Sequence, residues 1–193
     1  MISRLAALLL LVCVNGAFAA GIREFSIPTL ERLGHELTSA SQRPDRGASN
    51  AIRKQARETA KAALAGKLFD AQYDYVVLSD PDGKRVLVYA LATPPNSNEV
   101  ILAGHFRVTV SADGTKAERV DALSNTFLSS GPMTSDAVAL YMIQLVSNKP
   151  VETLIYTSNL AKKPIYVRTP DGKSWIVGDG KIQVVASKPS KKK

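Results

Sequence analysis

Few residues in this chain are equipped to do chemistry. It holds two histidines, His35 and His105, and one cysteine, Cys13. Glu31 and His35 stand four apart in a helical pattern, a spacing that lets two side chains share a metal, but no H-E-x-x-H accompanies them. Both fall off the Leu30–Leu33–Leu37 stripe, so the pair is expected to face solvent. His105 precedes Arg107 in an alternating run, on the side expected to be polar and wet. Ser129-Ser130-Gly131 is not a G-x-S-x-G elbow. The S-x-x-K spacing occurs at Ser190–Lys193, in a lysine-rich end. Asp80-Pro81-Asp82-Gly83 supplies half of a calcium loop and lacks its closing glutamate, so a turn accounts for it. There is no P-loop and no G-x-G-x-x-G to cradle a phosphate. No catalytic residue, no metal ligand set and no cofactor is expected.

What remains is charge. Arg53, Lys54, Arg57 and Lys61 recur at helical spacing and form a basic ridge. Such a ridge suits an acidic partner protein or an anionic envelope component. Nucleic acid is excluded from the reading, because no interleaved aromatic platform accompanies the cations. With His105 and Arg107, these four are the candidate binding residues.

These side chains need elements to position them. Ser26 can cap a helix that carries Pro28 in its first turn and an apolar stripe of Leu30, Leu33, Leu37 and Ala40. Arg43-Pro44-Asp45-Arg46-Gly47 breaks it. A second helix is predicted from Ser49 or Asn50 to Gly66, its thin stripe made of Ile52, Ala56, Ala60 and Ala63. The hydrophobic period then falls to two. Strands are predicted over Tyr73–Ser79, Arg85–Ala92, Val100–Val110 and Ala117–Leu123, an antiparallel meander with turns at Asp80–Lys84 and Asp113-Gly114. Gly104 marks a bulge in the third. The run Val138–Val146 is apolar on every side, which predicts a buried helix from Ser135 to Ser147 at the centre of the core. A second antiparallel meander is predicted over Val151–Thr157, Ile165–Arg168, Ser174–Val177 and Lys181–Val185. Tyr156, Tyr166 and Trp175 in these strands read as core. The order gives the α+β class. Pro-Asp-Gly-Lys occurs at Pro81–Lys84 and again at Pro170–Lys173, so a duplicated helix-plus-sheet unit is one reading, with halves at 24–127 and 128–186.

The chain's ends bear on its compartment. Arg4, an uncharged stretch from Leu5 to Val14 and the small residues Ala17 and Ala19 form the pattern of a cleavable signal peptide over 1–19. About ten apolar residues rise only about 15 Å as a helix, half of a bilayer core. Val12 directly before Cys13 does not suit a lipoprotein signal. Removing the leader leaves a cysteine-free chain that must rely on its own core over 20–186. The net charge is +8. One of those charges is in the leader and four are in the tail Ser187–Lys193, which reads as disordered, so the body keeps little net charge.

The segment Ile27-Pro28-Thr29-Leu30-Glu31-Arg32-Leu33-Gly34-His35-Glu36-Leu37 resembles the start of small exported proteins of proteobacteria that carry no assigned activity. The closing Pro170-Asp171-Gly172-Lys173-Ser174-Trp175-Ile176-Val177 is similar. The resemblance implies a Gram-negative periplasm and no catalytic residue. The expectation is an exported, soluble, non-enzymatic protein that binds a partner or ligand. The alternatives are a small cell-envelope hydrolase built around His105, and an envelope-associated structural factor using the lysine tail.

Overall fold

The computed structural model describes residues 21–134 and 136–185. The expected signal peptide and the lysine tail from Ser187 lie outside the described residues. The chain is α+β, as its pattern implied.

Helix α1 runs over Ile27–Ser41 and is capped by the Ser26 hydroxyl, with Pro28 in its first turn. Its buried face is Leu30, Leu33, Gly34, Leu37 and Ala40. Helix α2 runs over Ala51–Leu64, where Asn50 Oδ1 accepts from the Arg53 N–H at 2.9 Å. Its buried face is Ala56, Ala60 and Leu64, whereas Ile52, expected inside, is 48% exposed.

Four strands follow in the first sheet. They are β1 (Tyr73–Ser79), β2 (Val86–Ala92), β4 (Phe106–Val110) and β5 (Ala117–Ala122), antiparallel in the order β1-β2-β4-β5. The expected long third strand is two. Gly104 takes φ +115°, and a Cβ there would meet the Phe127 ring. The chain turns at this glycine, so β3 (Ile101–Ala103) leaves the sheet and pairs with the short β6 (Leu128–Ser129).

The second half corrects two expectations. The apolar run forms no helix: β7 (Leu140–Ile143) is a strand, and Val138, Tyr141, Ile143 and Leu145 are exposed. Outward Tyr141 and Ile143 alternate with inward Leu140 and Met142. Where both sets are apolar, strand and helix periods look alike. Conversely, the predicted strand Val151–Thr157 lies in helix α3 (Glu152–Ala161). Its β-branched residues read as strand, but burial against α1 overrides that preference. Lys162, in the left-handed conformation, ends it.

Strands β8 (Ile165–Arg168), β9 (Ser174–Gly178) and β10 (Lys181–Val184) complete a second sheet in the order β10-β9-β8-β7. This sheet is mixed rather than a pure meander, because β7 runs parallel to β8 with α3 as the crossover.

Alternation along the strands sorts the side chains into layers. Val77, Val88, Ala90, Phe106, Val108 and Val110 pack against α2. The opposite face of the first sheet contributes Val76, Leu78, Leu87, Tyr89 and Leu91 to a larger core. That core also takes the stripe of α1, Leu154 and Ile155 of α3, and Met142, Ile165, Val167, Trp175, Val177 and Ile182 of the second sheet. Helices α1 and α3 are therefore shared between the two sheets. They approach closely at Gly34, where a Cβ would overlap the Ile155 side chain.

Candidate functional site

The basic ridge is largely occupied by its own protein. Arg53 folds back onto the β1 edge, donating from Nη1 to the carbonyls of Gly47 (3.1 Å) and Val77 (3.2 Å) and from Nη2 to Ser79 Oγ (2.5 Å). Lys61 pairs with Glu58 at 3.0 Å and lies 5.5 Å from the centre of the Tyr75 ring. Arg57 is half-buried, with Nε 3.6 Å from Glu58. Lys54 is exposed and takes no ion pair among the described residues. A four-cation contact surface is not assembled here.

His105 and Arg107 were expected on a wet face, and both are buried instead. The reason lies in the layers: β4 is covered by α2 on one side and by the shared core and the N-terminal arm on the other. Both His105 nitrogens are engaged by backbone. Nδ1 accepts from the Ala92 N–H at 3.1 Å, and Nε2 lies 3.3 Å from the Ile101 carbonyl, to which it donates. Burial pushes its pKa down to about 4, against the opposing pull of the Ile101 bond. This is a neutral structural histidine with no free lone pair to act as a base. The pocket beside it, about 270 Å³, holds Glu99, Ser97 and Tyr156 but not Arg107. Glu99 is already taken by Asn96 Nδ2 and Ser129 Oγ. The convergence that a hydrolase around His105 and Arg107 requires is not formed.

Arg107 instead anchors a buried charge network. Nη1 meets Glu152 Oε1 at 2.5 Å, and Nη2 meets Asp121 Oδ2 at 2.8 Å and the Arg23 carbonyl at 2.5 Å. The Tyr89 hydroxyl donates to the same Glu152 oxygen at 2.8 Å. Burial alone would lower the Arg107 pKa, but Glu152, Tyr89 and Asp121 outweigh it and hold the guanidinium charged. The arm before α1 closes the site. The Arg23 N–H bonds Asp121, the Arg23 guanidinium grips Asp80, and the Phe25 ring lies against both Arg23 and Arg107 at 4.7 Å. Arg107, Asp121 and Glu152 are buried with their charged atoms facing one another, which ties the arm, the first sheet and α3 together and leaves Glu152 Oε2 without a partner among the described residues.

The outward face of the second sheet is exposed and carries aromatic, apolar and basic side chains. Register places Tyr141 beside Tyr166, Tyr166 beside Ile176, and Ile176 beside Gln183, one row across all four strands. Tyr166, expected in the core, is 42% exposed, whereas Trp175 is buried. The row runs into a cleft of about 500 Å³ whose lining includes Ile176, Gln183, Lys162, Lys163 and Lys181 with one carboxylate, Asp179 in the β9–β10 turn. The strand residues of this sheet include Arg168 and Lys181 and no carboxylate.

The four edges of the two large sheets are treated differently. At β1, the Val77 N–H donates to the Arg46 carbonyl, and Arg53 covers the Val77 oxygen. At β5, Glu118, Arg119 and Asp121 put charge along the strand, a common guard against strand addition. At β10, Glu31 accepts from the Ile182 N–H at 3.0 Å and from Lys181 at 3.1 Å. Strand β7 has no such cover among the described residues. The Leu140 N–H bonds the Pro164 carbonyl and the Gln144 N–H bonds that of Arg168. Parallel alternation therefore points the N–H and C=O of Tyr141 and Ile143 away from the sheet. From Ala137 to Asn148 the chain carries no charge, glycine or proline.

The sequence pattern conceals this edge, because an apolar run with no polar side fits a buried helix as well as a strand. The signal available was the absence of any charged residue around a short apolar run. Comparison of the chain with family models, with curated proteins and with solved structures finds no match.

Proposed function

We propose that this is an exported, periplasmic binding protein, not an enzyme, and that it engages a partner through the outward face of its second sheet. The leader pattern over 1–19 supports the compartment. The observation that carries the function is the uncovered β7 edge beside the exposed Tyr141–Tyr166–Ile176 row. The ridge on α2 and the buried His105 and Arg107 no longer serve as contact residues in this reading.

Site-specific photocrosslinking in cells tests it. A p-benzoylphenylalanine at position 166 is expected to give discrete adducts in the periplasmic fraction, and one at position 54 on α2 none. Adducts at position 54 with none at 166, or a protein confined to the cytoplasmic fraction, would refute the reading.

A further inference from the structure

We infer that the β7 edge is a strand-addition site for an extended segment of another protein, with an apolar alternating middle and acidic ends; this rests on the binding role proposed above. Main-chain geometry defines the docking line. The N–H and C=O groups of Tyr141 and Ile143 face outward and offer about four main-chain hydrogen bonds to an added strand. Three of the four large-sheet edges are capped or charged by named residues, and this one is left apolar. Val138, Tyr141, Ile143 and Leu145, at 85%, 60%, 56% and 59% exposure, border it. An uncharged edge of this kind invites pairing unless something occupies it.

Charge selects the kind of occupant. Strand β8, next to the edge, begins just after Lys162 and Lys163 and ends at Arg168. Lys162 and Arg168 are exposed and take no ion pair among the described residues. No carboxylate stands on strands β7 to β10. An incoming strand with acidic residues at both ends therefore meets a cation at each end and tyrosine and isoleucine between. A second copy of this chain presents the same cations, Lys162 and Arg168, and the same carboxylate-free strands, so it brings no acidic ends to this edge.

The probe is a fluorescein-labelled peptide of alternating valine and threonine with two glutamates at each end, compared with its lysine-flanked counterpart. Fluorescence anisotropy is expected to show the acidic peptide binding at least about tenfold more tightly. Tyr141→Pro removes one outward N–H and leaves the bonds to β8 in place, and it is expected to weaken binding about tenfold. Ile143→Glu, which removes the apolar side chain and sets a carboxylate beside Arg168, is expected to do the same without altering the backbone, and Lys54→Glu to leave binding unchanged. Arg168→Glu should narrow or reverse the preference for acidic flanks. Hydrogen exchange at the Tyr141 and Ile143 amides should slow when the peptide saturates.

Equal binding of both peptides, or binding that survives both β7 variants with unchanged circular dichroism, overturns the inference. So does a dimer in sedimentation that Ile143→Glu dissolves, which would make a second copy the occupant. Arg168-dependent pelleting with phosphatidylglycerol vesicles, in the absence of peptide binding, would assign the face to a bilayer. If adducts at position 166 persist in Tyr141→Pro and the peptide does not bind, strand addition falls while the binding role stands.

Discussion

Lowering the pH should unfold this protein earlier than its carboxylates require, because of His105. In the folded state the ring is neutral, its Nδ1 holding the Ala92 N–H, and burial sets its pKa to about 4 against an ordinary 6.5. The unfolded chain therefore takes up the proton first. The stability tied to the neutral ring is fully present above about pH 6.5 and is lost as the pH falls towards 4. A separation of about 2.5 pH units is worth about 3.4 kcal/mol when complete, and about 2.5 kcal/mol is gone by pH 4.5. For a chain of this size that is a fall in Tm of about 5–10 °C. The lowered carboxylates, among them Glu31, Glu99 and Asp171, lose their contribution mainly below this window. Urea denaturation at pH 7.0, 5.5 and 4.5 would measure the effect, with His105→Asn as the reference. The Asn Oδ1 can accept from the Ala92 N–H and does not titrate. The variant should start less stable at pH 7.0, having lost the bond to Ile101, and should then lose about 2.5 kcal/mol less than the native chain by pH 4.5. Parallel pH profiles for the two proteins would refute the assignment of His105 as a buried neutral ring.

Glu152→Gln should cost about 3 kcal/mol in urea denaturation, because Arg107 would keep its burial and lose its closest carboxylate. Gly47→Ala should lower the urea midpoint by an amount worth more than about 1 kcal/mol. Its φ of +82° disfavours a Cβ, and that Cβ would land on the Val77 carbonyl oxygen at the β1 edge. Asn50→Ala should cost about 1 kcal/mol by removing the cap of α2, with no change in the far-UV spectrum at 25 °C.

The first half of the chain was far more legible than the second. Caps at Ser26 and Asn50, the Leu30–Leu33–Leu37 stripe and the Asp-Gly turns are local signals, and local physics decides them. The swap between β7 and α3 was not legible, since each run fits both periods. Val138–Val146 lacks any polar residue that would reveal a face until Gln144. Val151–Thr157 looks like a strand because it is β-branched, yet Glu152 at its start is the partner of Arg107, a residue 45 positions earlier in sequence. The burial of His105 and Arg107 was hidden for a related reason. They do alternate with Phe106 and Val108, but a polar side of a strand can be covered when its polar groups have partners. Those partners, Glu152, Asp121 and the carbonyl of Arg23, come from distant parts of the chain. Pro-Asp-Gly-Lys stands in two hairpins. Each copy closes the first hairpin after a helix, α2 before β1 and β2, and α3 before β8 and β9.

The contact between Glu31 on α1 and the Ile182 N–H on β10 spans 151 positions in sequence. It therefore constrains the order in which the molecule can be completed. Synthesis at about 5–20 residues per second puts helix α1 outside the ribosome roughly 8–30 s before the strand that it caps. The first sheet and α3, which share the Leu30, Leu33 and Leu37 face with the second sheet, precede that strand in the chain. Closing the β10 edge on Glu31 is therefore the last step open to the folding chain, made on a face that earlier elements can already cover.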